Sequence, residues 1–571
     1  MRKKGLYSSV TMACIALLLG SCGSGGNSAA SIPTPTPPLT PAPAASEQDA
    51  LTTATPIKHL VVIFGENQSF DHYFGTYPNA SNPSGEPAFN AAAGTPQVNG
   101  YIRNSSLLTN NPNTTNTSNL GTGIAPSLMN PFRIDRAQYD TSSQNHSYTP
   151  EQLATDNGRM DAFVANTGRG SAGGAGAFGT AAQVMGYFDG NTVTALWNYA
   201  QNFAMNDNAF TDSFGPSTPG AINVVGGTTN GASNASGGNT VPDGAGGWTL
   251  IGDADPKGDV CTTGSNPVMF SGNNIGDLLN AASITWGSFM GGFDVSAKNA
   301  NGTTNCQRST VSPNTSRTVV DYTPHHAWFQ YYLSTQNPQH TRPSSVAMIG
   351  HNEPTLDAAG SATPVHHGYD FNDFVAAVTA GNYPSVSYIK APAYQDGHPG
   401  NSNPLDEQAF VAKTINFLQQ QPDWKNTAVL VLYDDSDGWY DHQSPNLLTS
   451  SFDPTADQVT SPGHCSGPNS KPAAGVTAAT VNGRCGPGTR TPFLLISPYA
   501  KVNFVDSTPI TQASVIRFIE DNWLKGQRIG GGSNDTIAGS IMNMFDFNAT
   551  PHTTPLFIDP LLGTKTASAP A

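Results

Sequence analysis

Short apolar runs alternate with amphipathic stretches along most of this chain. "HLVVIF" (59–64), "SVSYIK" (385–390), "TAVLVLY" (427–433) and "TPFLLISPY" (491–499) are brief and rich in apolar residues. That is the pattern of buried strands. "SVAMIG" (345–350) reads as a further strand. Helical patterns lie between them. "NPLDEQAFVAKTINFLQQQ" (403–421) offers Asn403 as N-cap and Pro404 at the first helical position, with Val411, Ile415 and Leu418 on its apolar face. "ITQASVIRFIEDNW" (510–523) sets Val515, Ile519 and Trp523 on one face. "TVTALWNYAQNFAMNDNAF" (192–210) is helical in its first half, and "NIGDLLNAASITWGSFM" (274–290) reads as helix then strand. "AINVVGG" (221–227) fits either. Gly65 permits a sharp turn before a short helix in "ENQSFDHYF". This alternation predicts one α/β domain, residues 57–571, around a largely parallel sheet. Residues 78–130, rich in Asn, Thr, Ser, Pro and Gly, read as a long surface excursion.

The first 56 residues follow another pattern. A basic "MRKK" precedes the apolar "VTMACIALLLG" (10–20), too short to span a bilayer, and then "LGSC" (19–22). This is an export signal. Its end resembles the bacterial lipoprotein box, which implies cleavage before Cys22 and a lipidated, membrane-attached Cys22; a plain signal peptide is the alternative. Residues 23–56 turn Gly/Ser-rich and then Pro-rich, the composition of a semi-rigid spacer. The expected location is therefore periplasmic or on the cell surface. Four cysteines remain, Cys261, Cys306, Cys465 and Cys485. In an exported chain they suggest two disulfides, with nearest-neighbour pairing one of three connectivities.

Charge narrows the function. Only 11% of the 571 residues are charged, and the net charge is −15. No long basic run occurs, so nucleic acid is excluded as an expected partner. An anionic substrate needs a local offset, such as a bound cation or a helix N-terminus. Against this sparse background, "VLYDDSDGWYDHQ" (431–443) crowds Asp434, Asp435, Asp437, Asp441 and His442 behind a buried strand. Glu66 and Asn67 stand just past another. In such sheets ligands bind at the carboxyl ends of strands. Oxygen ligands from two strand ends suit one divalent cation. An Asp pair there also serves as a turn or cap, and Asp437-Gly438 fits turn chemistry. In "DSFGPSTPGAINVVGGT" (212–228), Ser217 stands at a possible helix start. It is either a cap or a nucleophile beside a cation. No G-x-S-x-G elbow occurs, against an ordinary serine hydrolase.

Taken together, "FGENQSFDHYFG", "NHSY", "NGRMDAF", "FGPSTPG", "HHAWFQYY", "DGHPGN", "YDDSDGWYDH", "RTPFLLISPY" and "SVIRFIEDNW" resemble the bacterial phosphoesterase family that joins the AcpA-type acid phosphatases to the non-haemolytic phospholipases C. The resemblance runs from about residue 57 to 525 and implies an alkaline-phosphatase-like α/β fold. It implies Glu66, Asn67, Asp434 and Asp435 as ligands of one divalent metal and Ser217 as nucleophile, with Thr218 the alternative. It implies His146, His326 and His398 around the phosphoryl group, with His325 the weaker member of its pair. The phospholipase branch has P-[ST]-D-P-N-R where this chain has "PSTPGA". That departure favours an acid phosphatase acting on phosphomonoesters through a phosphoserine. A phospholipase C cleaving phosphatidylcholine-type diesters is the alternative. A non-catalytic surface-binding lipoprotein is the rival of another class.

Overall fold

Strand β1 (His59–Gly65) lies inside an eight-stranded sheet in the computed structural model, which describes residues 47–233, 238–353, 366–471 and 481–570. The other strands are β2 (Ala204–Asn206), β3 (Trp286–Met290), β4 (Gly368–Asp370), β5 (Val386–Lys390), β6 (Thr427–Tyr433), β7 (Phe493–Ile496) and β8 (Phe504–Asp506). Their spatial order is β4-β3-β5-β1-β6-β7-β2-β8. All pairings are parallel except those of β7 with β6 and β2. β1, β5 and β6 are buried along their whole lengths, which is why their sequences show no alternation. The sheet and its helices form the mixed α/β arrangement expected, consistent with an alkaline-phosphatase-like fold.

The expected helices form where their caps place them. Asn403 accepts hydrogen bonds from the Leu405 and Asp406 N–H groups at the head of helix Pro404–Gln419. Helices Thr194–Asn202, Ile275–Ala281 and Ala513–Trp523 also match their patterns. The ambiguous "AINVVGG" belongs to a helix, Ser217–Gly226. Both disulfides pair nearest neighbours, Cys261–Cys306 and Cys465–Cys485.

Three expectations need correction. "SVAMIG" is a short 3-10 turn, Val346–Met348, and no strand. Val346 is exposed, and the Val346 and Ile349 carbonyls accept from the Asn382 side chain rather than from a neighbouring strand. The spacer ends earlier than residue 56. Glu47–Ala50 forms a 3-10 turn, and Ala54 and Thr55 hydrogen-bond to Asn522. The stretch 78–130 is not merely surface. Its Tyr101 and Met129 enter a second small core with Phe163, Met185 and Tyr440. The signal segment, Cys22 and the spacer up to residue 46 lie outside the described residues.

Candidate active site

Register brings the two acidic clusters together. Parallel pairing sets Gly65 opposite Tyr433, so Glu66-Asn67 and Asp434-Asp435 leave the sheet side by side. The Asn67 N–H donates to Asp434 Oδ1 over 2.8 Å, and the Asp435 N–H donates to the same oxygen over 2.8 Å. Asn67 turns the chain with φ 64°, a left-handed conformation that asparagine tolerates. All four side chains are buried. Burial, then the Asp434 charge, pushes both Glu66 and Asp435 well above the usual carboxylate range. Burial works against charge on Asp434 too, but hydrogen bonds and the Lys390 ammonium outweigh it and hold its pKa low.

Two oxygens in this cluster, Asn67 Oδ1 and Asp434 Oδ2, are buried without a hydrogen-bond partner among the described residues. Orphaned buried oxygens within a set of mutually repelling carboxylates fit a hard divalent cation. Lys390, at the end of β5, already offsets part of the charge through an ion pair with Glu66 Oε1. Sequence reasoning missed it, although a lysine closing a buried strand was a signal.

Ser217 begins helix Ser217–Gly226. Its hydroxyl donates to Glu66 Oε2 over 3.0 Å and lies 3.3 Å from Asp435 Oδ2. The next residue is committed elsewhere: the Thr218 N–H and hydroxyl each reach Asp253 Oδ1 over 3.0 Å. The helix approaches the strand end closely at Gly220, beside the Asp434 backbone.

The histidines gather unevenly. His326 Nδ1 is 3.2 Å from Glu66 Oε1, and its Nε2 is buried without a partner among the described residues. Burial, then the neighbouring His325 and Lys390 charges, hold His326 well below the ordinary histidine range. His146 Nδ1 is 3.0 Å from Asp437 Oδ1, and its Nε2 is 3.5 Å from Asn67 Nδ2. Burial opposes charge on His146, but the Asp435 and Asp437 carboxylates outweigh it and raise its pKa well above the usual value. His398 sits edge-on to His146, 6.0 Å between ring centres. His325 stands off at 3.9 Å from Asp255. Asp437, read as a turn residue, is one, with φ 55°. Its carboxylate also accepts from Ser143, Gln144 and Asn67, which positions the His146 loop.

A polar cavity of about 420 Å³ opens beside this cluster, lined by His146, Arg169, Pro216, Asn239 and Asp253 among others. A larger, more apolar cavity of about 650 Å³, lined by Phe371, Phe410 and Phe417, includes none of the expected site residues.

The Phosphoesterase family profile matches residues 57–524. This chain belongs to that family. Among its curated relatives, a Non-hemolytic phospholipase C of Pseudomonas aeruginosa is 30% identical over 184 residues, 31% of this chain and 25% of that protein. A Non-hemolytic phospholipase C of Burkholderia pseudomallei is 23% identical over 82% of this chain and 55% of that protein. Phospholipase C A of Mycobacterium tuberculosis is 23% identical over 89% of this chain and 81% of that protein. The matched stretch thus spans about a quarter and about half of the first two relatives.

Three further groups of side chains have metal-ligand spacing among the described residues: Asp259/Cys261/His340, Asp71/Asp441/His442 and Asp49/His59/Asp423. In the first, Cys261 is spent on a disulfide, and Asp259 accepts from Tyr322, Gln330 and His340. In the second, Arg490 already bridges Asp71 and Asp441. No helix among the described residues is long and apolar enough to cross a membrane.

Proposed function

We propose that this chain is an exported, metal-dependent phosphoesterase that hydrolyses phosphomonoesters through a phosphoserine on Ser217. The observation that carries this reading is the Ser217 hydroxyl, which heads a helix and donates to Glu66 over 3.0 Å beside Asp435. Glu66, Asn67, Asp434 and Asp435 would hold one divalent cation. When bound, such an ion lowers the pKa of a nearby hydroxyl and screens phosphate charge.

The chain's own residues account for the remaining steps. Ser217 Oγ attacks phosphorus as its proton passes toward the carboxylate oxygens it already faces. At the head of the helix the Ser217 N–H would take up charge on the phosphoryl oxygens, since the Thr218 N–H is engaged by Asp253 and Pro216 and Pro219 have none. His146, whose carboxylate neighbours favour its protonated form, donates to the leaving alkoxide. Water then cleaves the serine–phosphorus bond and releases phosphate. His326 stands beside Glu66 and His398 beside His146, and Arg169 stands exposed at the cavity. Export and anchoring through Cys22 rest on the N-terminal pattern, and the two disulfides support an oxidising compartment.

A second reading, a phospholipase C, is favoured by the names of the curated relatives. Product analysis separates the two. The purified full-length chain is offered p-nitrophenyl phosphate and phosphatidylcholine, with Ser217→Ala as control. Serine-dependent inorganic phosphate from the monoester, with the lipid intact, is the expected result. Diacylglycerol with phosphocholine selects the phospholipase. Full monoesterase activity in Ser217→Ala removes the serine from the mechanism.

A further inference from the structure

The opposite end of the central strands carries a second ligand set. His59 opens β1 and is fully buried. Its Nδ1 lies 3.0 Å from the Pro384 carbonyl oxygen, which can only accept, so Nδ1 bears the proton. In the neutral ring this leaves the Nε2 lone pair free, the arrangement a metal-binding histidine uses. Nε2 has no hydrogen-bond partner among the described residues. Asp423, in the turn before β6, is also buried, and its Oδ1 likewise has none. Asp49, in the turn Glu47–Ala50, brings its Oδ1 to 3.9 Å from His59 Nε2. That is too long for a hydrogen bond. One ligand atom from each of the three lies within 4.8 Å of the others. Tyr383 stacks on the imidazole at 4.0 Å between ring centres and fixes its plane.

We propose that Asp49, His59 and Asp423 form a structural site for a divalent cation of the zinc class. Two carboxylates and a neutral imidazole match the charge and donor preference of zinc, and ligands at about 2.0–2.2 Å from an ion stand roughly 3.4 Å apart. A small inward movement of Asp49 closes the set. Its side chain is 18% exposed, which leaves space for a water as fourth ligand. Lys425, two residues beyond Asp423, faces solvent. The site pins the segment that enters the domain to the sheet. His59 and Gly65 are the two ends of β1, about 20 Å apart at about 3.3 Å per residue, so this site does not share ligands with the Glu66 cluster. The competing arrangement is a protonated His59 paired with the two carboxylates and no metal.

The test is zinc titration of the full-length chain, stripped with chelator, against a chromophoric chelator. Wild type, Asp434→Asn, Asp49→Asn and Asp423→Asn are compared. Asp49 lies in a partly exposed turn outside the apolar core, so its variant keeps the core intact. Asp434→Asn is expected to retain a zinc equivalent that Asp49→Asn and Asp423→Asn lose, and zinc is expected to raise the Tm of Asp434→Asn but not the site's share in Asp49→Asn. Zinc stoichiometry and zinc-dependent Tm in Asp49→Asn and Asp423→Asn equal to wild type would overturn the site in favour of the ion pair.

Discussion

Gly220 packs so closely on Asp434 that a Cβ built on it would lie 2.2 Å from the Asp434 carbonyl oxygen. The helix that begins at Ser217 therefore rests directly on the strand end that carries the acidic pair. Backbone atoms on both sides leave no flexible group to give way. Gly220→Ala is expected to push Ser217 away from Glu66 and Asp435. Overpacking of this kind costs about 1–3 kcal/mol of stability. The decisive readout is kcat, expected to fall at least about tenfold, since small misplacement of a reacting group carries a large rate penalty. A variant with unchanged kcat would show that the helix position is not critical.

Lys390 is buried against Glu66. Lys390→Met leaves Glu66 among other carboxylates with no ammonium beside it. Removing one partner of a buried ion pair costs about 3–5 kcal/mol. The variant is expected to become dependent on divalent cations for folding: its Tm drops in chelator and recovers when the cation returns. Thermal scans with and without chelator check this. Equal melting in both conditions counts against cation binding at Glu66.

Stability should respond to pH with opposite slopes from two kinds of group. Burial pushes Glu407 up to about 8, against an ordinary 4.5, despite hydrogen bonds from Tyr433 and Tyr73. Its contribution is full below 4.5 and is lost as pH rises through about 8. Burial pushes His72 down to about 4 and His367 to about 3, against 6.5. Their contribution is full above 6.5 and is lost as pH falls through these values. Urea midpoints at pH 4, 6 and 8.5 should show Glu407→Gln gaining on the wild type between pH 6 and 8.5. The gain begins already between pH 4 and 6, once the unfolded carboxyl ionises above 4.5. A constant difference across the series would mean that Glu407 titrates in the fold as it does in the unfolded chain.

The two disulfides should differ in what they protect. Cys485 sits beside the nucleophile loop: the Phe214 N–H donates to the Cys485 carbonyl over 3.1 Å, and the Cys485 N–H donates to Tyr148 Oη over 2.9 Å. Removing Cys465 and Cys485 together is expected to lower kcat as well as stability. Removing Cys261 and Cys306 should lower stability alone, by about 2–5 kcal/mol. Activity per folded molecule, measured below each variant's melting range, distinguishes the outcomes. Equal kcat losses from both pairs would deny the Cys485 contact any special part.

Much of the candidate site was legible because its residues cluster at strand ends. "HLVVIF" followed by Glu66-Asn67, and "TAVLVLY" followed by Asp434-Asp435, are local patterns that the structure keeps. Lys390 escaped notice because its partner Glu66 lies 324 residues away, and nothing in "SVSYIK" tells where its last side chain points. "SVAMIG" misled because a short apolar run carries no information about whether a neighbouring strand exists to pair with it.

The sequence by itself determined the buried strands, the capped helices and the acidic strand ends, since these depend on side-chain period and local backbone hydrogen bonds. Only the tertiary structure decided which strand ends meet. It set Gly65 opposite Tyr433, turned Ser217 toward Glu66 and Thr218 toward Asp253, and drew His59, Asp49 and Asp423 together at the other end of the central strands. Those relations depend on contacts between residues remote in the chain. They are fixed by packing of the whole sheet and its helices, and no local pattern encodes them.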